Sequence, residues 1–181
     1  GPNAVEIEDT YLRLDKDFAD FFNYLDQKVG KGNYTVFLCA DHGGMNNAQF
    51  LLDRRIPAGD WNTKTAQKDL NEMLKAKYPS AGDLVKWVSN YQVFFDTQKI
   101  DSLSLDYNAI KQEVVNRLKK DKRVQYACDM EKASIESIPE EIKYRIINGY
   151  NRERSGGVQV ILKPAYYSNG MKGTTHGAWN G

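Results

Sequence analysis

Histidine is scarce in this chain: 181 residues contain two, His42 and His176. Cysteine is equally rare, and Cys39 and Cys128 lie far apart, outside any metal-ligand spacing. That excludes a cysteine-built zinc scaffold and a dense disulfide framework. Cys39 falls in an apolar run and is expected to be a buried free thiol. No Gly-rich lysine loop is present, so the usual nucleotide phosphate cradle is excluded. No Gly-x-Ser-x-Gly elbow occurs either. Thr174 and Thr175 adjoin His176, but sequence neighbours do not make a nucleophilic triad. Charge of one sign is also lacking, since 25 basic residues meet 24 acidic ones for a net +1. A nucleic-acid partner wants a basic patch, and none stands out. No apolar run approaches the ~20 residues of a membrane span, and no signal-peptide pattern opens the chain.

What is present is ordinary globular material, 41% hydrophobic and 27% charged, long enough to bury a core. Residues 5–29 carry Ile7, Tyr11, Leu14, Phe18, Phe21, Phe22, Leu25 and Val29 at three- and four-residue steps, which predicts an amphipathic helix. Gly30 and Gly32 end it. Tyr34–Ala40 is continuously apolar, aromatic and β-branched, the pattern of a central parallel strand buried on both faces. Helix, tight turn and buried strand together read as half of an α/β unit.

A second helix is expected over 63–78. Beyond the turn at Pro79–Gly82, short strands are expected at 84–89 and 91–96, with Asn90 between them. Asp106 is positioned to cap a helix running to about Lys120. A strand over 124–130, a helix opened by Pro139 and a strand over 158–162 complete the set. The chain therefore divides into a core α/β segment over 1–83, an α+β insertion or cap over 84–164, and a return to the core over 165–181.

Both histidines stand in glycine-rich polar turns: Ala40-Asp41-His42-Gly43-Gly44 and Gly173-Thr174-Thr175-His176-Gly177. The first sits at the carboxyl end of the expected strand, where open α/β sheets present ligands. Zinc accepts imidazole nitrogen and carboxylate oxygen, and glycines permit the turn that aims both at one ion. Asp41, His42 and His176 are therefore candidate metal ligands. The competing reading is two solvated histidines beside turns. Arg152, Arg154 and Ser155-Gly156-Gly157 read either as an anion site or as a plain basic turn.

Val5–Asp17, Gly32–Gly43, Asn148–Gly157 and Gly173–Gly177, in this order, resemble the alkaline phosphatase superfamily. The likeness is to its bacterial monoesterase branch, related to type I phosphodiesterase/nucleotide pyrophosphatases. The resemblance implies a three-layer α/β/α core, of which this chain is an internal piece from the C-terminal half. It implies two zinc ions in one complete site. Asp41 and His42 match the pair on the zinc that activates the nucleophile, and His176 matches a ligand of the zinc that receives the leaving oxygen. The family's nucleophile, its phosphate-contacting residues and its remaining ligands have no match here, so no catalytic residue is expected within this chain. A phosphate monoesterase acting through a phospho-enzyme is implied, with the isolated chain inactive and the remainder of the parent chain needed as partner. A phosphodiesterase or nucleotide pyrophosphatase, a phosphomutase of the same superfamily, and a non-catalytic α+β binding module are the alternatives. Bacterial members are usually exported, which implies a periplasmic or secreted parent.

Overall fold

The computed structural model describes residues 1–176. Gly177 of the second histidine motif and the rest of the 165–181 segment past His176 lie outside the described residues.

Helix α1 spans Val5–Val29, as the periodicity predicts. Glu6 and Glu8 in its first turn and Lys28 in its last complement the helix dipole. Gly30, at φ 95°, ends it while its N–H reaches the Asp26 carbonyl. The Tyr34 hydroxyl then donates to Asp26 at 2.7 Å, so the chain turns back along the helix. Yet no α1 residue is buried, and Ile7, Tyr11, Leu14 and Phe21 of the apolar stripe stay exposed.

The expected strand over 34–40 does not form. Tyr34–Ala40 is assigned to no helix or sheet, with Phe37 87% and Leu38 80% exposed. The reason is physical: a strand is defined by a neighbour that takes its N–H and C=O groups. Among the described residues no strand lies beside this run. Cys39 follows its segment, and it is free but exposed rather than buried. The buried free thiol is Cys128, whose burial, together with the Glu136 and Asp129 carboxylates, pushes its pKa up to about 12.

The packed part begins at Met45 and Ala48, which join Ala58 and Tyr167 in a small cluster; Ala48 opens α2 (Ala48–Leu52), which Asn47 caps by accepting from Phe50 N–H. Strand β1 (Gly59–Asp60) leads into α3 (Thr63–Lys77), capped by Asn62. Strands β2 (Val85–Ser89) and β3 (Gln92–Phe95) form a hairpin. Its turn residues Asn90 and Tyr91 take φ 47° and 59°, the left-handed pair that suits strand twist. Asn71, buried on α3, accepts from Leu84 and Val85 N–H and donates to the Val85 carbonyl, satisfying the start of β2 as a neighbouring strand would.

Helix α4 (Thr97–Ser102) and helix α5 (Tyr107–Leu118) follow, each capped by an aspartate, Asp96 and Asp106. Strand β4 (Val124–Asp129) runs into a 3-10 turn over Met130–Ile135, then α6 (Glu140–Gly149), β5 (Val158–Leu162) and β6 (Tyr166–Tyr167).

The four-stranded sheet has the order β2-β3-β5-β4, with every pairing antiparallel. Ala127 and Val160 face the main core with Leu70, Leu74, Ile110 and Val114 of the helices. Cys128 and Ile161, one step along each strand, face a second cluster with Met130, Ile142 and Ile146. This period-two alternation lets one antiparallel sheet serve two cores. The mixed α/β class and the α+β layer agree with the sequence. Helix α3, read with 1–83, packs on this sheet through Leu70 and Leu74.

The polar centre is Lys111. Its side chain is 0% exposed and its ammonium meets Asp129 at 2.9 Å and Glu131 at 2.6 Å, 4.7 Å above the Tyr107 ring. Burial and the Glu131 and Asp129 charges push the Tyr107 phenol well above its ordinary range. One ammonium thereby ties α5 to the end of β4 and to the 3-10 turn.

A candidate metal site between two histidine turns

The two histidines, 134 positions apart in sequence, meet. Their ring centroids lie 5.0 Å apart with the planes inclined at 64°. Asp41 Oδ2 lies 3.3 Å from His42 Nε2. His42 Nδ1 is 2.9 Å from the Gly43 carbonyl, so a neutral ring donating there presents Nε2 as its basic nitrogen. Both side chains are open to solvent, Asp41 more so than His42.

A carboxylate oxygen and imidazole nitrogens are donors of the kind zinc accepts. Ligand atoms about 2.0–2.2 Å from a tetrahedral zinc lie about 3.3–3.6 Å from each other. The Asp41–His42 separation is one such edge. Around Gly43 an added Cβ would meet nothing within 4 Å, so the turn leaves open space beside the pair. Among the described residues no group of three or more His, Cys, Asp or Glu side chains converges. The arrangement is thus one carboxylate–imidazole pair with a second imidazole beside it.

Backbone pairing joins the two turns. Met45 N–H donates to the Thr175 carbonyl at 3.1 Å, and Gln49 N–H to Met171 at 2.9 Å. The Thr174 hydroxyl donates to the Met45 carbonyl. The Tyr167 hydroxyl accepts from Ala48 N–H at 2.9 Å and donates to the Gly173 carbonyl at 2.7 Å. Upstream, β1 and β6 pair in parallel, Gly59 with Tyr166 and Asp60 with Tyr167. Asp60 Oδ1 caps the next turn by accepting from Asn169 and Gly170 N–H. Arg123 donates to the Asp60 carbonyl, fixing this ribbon to the loop before β4.

Asp60, Tyr167 and Thr174 are absent from the candidates read from sequence. Only the phrase Gly-Thr-Thr-His hinted at Thr174. Tyr167 is wholly buried.

The Ser155-Gly156-Gly157 turn does not offer its amides to an anion. Gly156 N–H goes to Gln92 Oε1 at 2.8 Å, and Gly157 N–H to the Val93 carbonyl at 2.9 Å. A cavity of about 670 Å³ opens beside this turn, lined among the described residues by Asp101, Glu153 and the Lys111-paired Glu131 against Arg152. Its excess of carboxylates opposes an anionic ligand. Gly157 is required for space, because an added Cβ would collide with the Tyr107 hydroxyl.

The family model of type I phosphodiesterase / nucleotide pyrophosphatase matches residues 1–181. The chain is 48% identical over 98% of its length to a protein of Myroides odoratus named calcium-transporting ATPase. It is 46% identical over 99% of its length to alkaline phosphatase PafA of Elizabethkingia meningoseptica, and 45% identical over 99% to alkaline phosphatase PhoV of Synechococcus elongatus. The chain spans about a third of the length of these relatives, 32–33%. The crystal structure of wild-type alkaline phosphatase PafA superposes with a TM-score of 0.93 at 46% identity, covering 99% of this chain and 34% of that one.

Proposed function

The chain belongs to the type I phosphodiesterase/nucleotide pyrophosphatase family of the alkaline phosphatase superfamily, and from that premise we propose that it supplies part of a dinuclear zinc site in a phosphate monoesterase. The observation that carries this reading is the meeting of Asp41, His42 and His176 across 134 positions of sequence, with an Asp–His separation suited to one metal. Asp41 and His42 would hold one zinc and His176 would contribute to the other. When bound, such a pair stabilises the attacking and leaving oxygens of an in-line displacement at phosphorus.

The chain's own groups bind and orient. The Gly43 carbonyl holds Nδ1 of His42 and so keeps Nε2 available. The glycine turn leaves room for a phosphate ester to approach. The nucleophilic hydroxyl and the remaining ligands would come from the part of the relatives' length that this chain does not span. There a hydroxyl oxygen would displace the ester oxygen, and water would then release phosphate from the phospho-enzyme. Alkaline phosphatase relatives support the hydrolase class. Monoester rather than diester preference, zinc as the metal and a periplasmic or secreted parent are parts of the proposal. So is the assignment of 84–164 as an insertion bordering the mouth of the site. No helix among the described residues is long and apolar enough to cross a membrane.

The test is turnover of p-nitrophenyl phosphate and bis(p-nitrophenyl) phosphate by the full-length parent. Asp41→Asn, His42→Ala and His176→Ala are each expected to lower kcat/KM about a hundredfold or more, because outer-shell losses alone reach that size. The 181-residue chain is expected to give no turnover above background. Robust metal-dependent hydrolysis by that chain, abolished by His42→Ala, contradicts the assignment of the nucleophile elsewhere. A diester preference in the parent contradicts the monoesterase reading while leaving the metal site intact.

A further inference from the structure

We propose that the hydroxyls of Tyr167 and Thr174 are positioning groups that set the separation of the His42 and His176 rings, an inference that rests on the zinc reading for its purpose. The Tyr167 side chain is wholly buried. Its hydroxyl has one proton to give and lone pairs to receive, and it uses both: Gly173 C=O at 2.7 Å and Ala48 N–H at 2.9 Å. Gly173 stands three residues before His176, and Ala48 opens α2 six residues after His42. The Thr174 hydroxyl spans the same gap closer in, donating to the carbonyl of Met45, three residues after His42. The Asn169 side chain supports this second tie by donating to the Thr174 carbonyl at 2.7 Å.

The two turns share no regular secondary structure at the histidines, since residues 40–47 and 173–176 are in neither helix nor strand. In an ordinary sheet the ladder would hold the register. Here two backbone hydrogen bonds, Met45 to Thr175 and Gln49 to Met171, are supplemented by two side-chain hydroxyls that share that task. Each hydroxyl bonds a backbone group of the opposite turn, so losing it leaves a carbonyl or amide seeking another partner. The turns then drift relative to each other, although the buried Tyr167 ring still packs. Zinc ligation depends on ligand placement, and loss of supporting outer-shell contacts lowers metal affinity about 10- to 100-fold.

The test uses near-isosteric variants of the 181-residue chain: Tyr167→Phe, Thr174→Val and the double variant. At 20.7 kDa the histidine rings are accessible to NMR. The wild-type chain is expected to show a ring-to-ring nuclear Overhauser effect between His42 and His176. The double variant is expected to lose it, with zinc affinity at least tenfold lower, while β4 and β5 amide resonances stay in place. Thr174→Ser in the Tyr167→Phe background is expected to restore part of the ring contact, because it returns a hydroxyl. Ile146→Val, in the second core, is the control for general destabilisation and is expected to leave the contact intact. Retention of the ring contact in the double variant overturns the proposal whatever the metal result. A wild-type chain without zinc affinity, whose ring contact is still lost in the double variant, upholds the positioning role and contradicts only the expected weak zinc binding of this chain by itself.

Discussion

Replacing Lys111 with alanine is expected to lower the folding stability of this chain by about 3–5 kcal/mol, the usual cost of stranding one half of a buried ion pair. The lysine side chain is wholly buried and faces two carboxylates, Asp129 and Glu131. Without it Asp129, whose side chain is 6% exposed, keeps a charge that water scarcely reaches. Glu131 suffers less, being part-exposed and also bonded by the Tyr150 hydroxyl. Truncation also empties the space of a lysine stem beneath the Tyr107 ring. Lys111→Met with Asp129→Asn is expected to recover much of the loss, since it removes both charges and preserves volume. Urea unfolding measures all three proteins, and a Lys111→Ala midpoint equal to wild type refutes the role given to this ammonium.

The same contact fixes a pH dependence. The Lys111 hydrogen bond, with its charge, holds the Glu131 carboxyl below the ordinary glutamate range against the opposing effect of burial. Burial raises Asp121 but is outweighed by hydrogen bonds and charge from Arg123, so it too ends lowered. A depressed folded pKa means stability present above the unfolded value of about 4 and lost as pH falls through the folded one. The unfolding midpoint is therefore expected to be flat from neutral pH to about 5 and to fall below that. Lys111→Ala is expected to shallow the acid limb.

The second large effect is a difference between two settings. Leu38→Asp is expected to change the stability of the 181-residue chain by no more than about 0.5 kcal/mol, as surface substitutions do. Leu38 is 80% exposed there. In the full-length parent the same change is expected to abolish soluble, active enzyme. The run Tyr34–Ala40 has the composition of a strand buried on both faces, and an unpaired carboxylate in such a strand is among the costliest substitutions. The apolar stripe of α1 makes the same case, since helix formation there proceeds without a single buried residue. Equal tolerance of Leu38→Asp in both proteins contradicts the view that this face belongs against the rest of the family core.

How much was legible in the sequence follows from the range of each interaction. Local devices were readable: the Gly30 stop, the Asp106 cap and the Asn90 turn each depend on a few neighbouring residues. The expected strand over 34–40 does not form because composition reports what a segment could bury, whereas pairing depends on a neighbour elsewhere. Cys39 went with it. The two-residue ribbon of β1 and β6 is too short to leave a periodic trace, and the buried amide of Asn71 looks like any other helix-surface asparagine until Leu84 and Val85 arrive. At the site, scarcity made both histidines conspicuous, and the adjacent aspartate marked one as ligand-like. The hydroxyls of Tyr167 and Thr174 carried no such mark, because Ala48 and Met45, the partners they reach across the gap, lie more than a hundred positions away.

The most direct test of the central claim is zinc calorimetry on the 181-residue chain with His42→Ala and His176→Ala beside it. A half-supplied site is expected to bind weakly, with a dissociation constant on the order of 0.1 mM, or about −5.5 kcal/mol. His42→Ala is expected to remove the measurable heat, and His176→Ala to weaken it. An unaltered zinc isotherm in His42→Ala would contradict the assignment of Asp41 and His42 as a metal-holding pair.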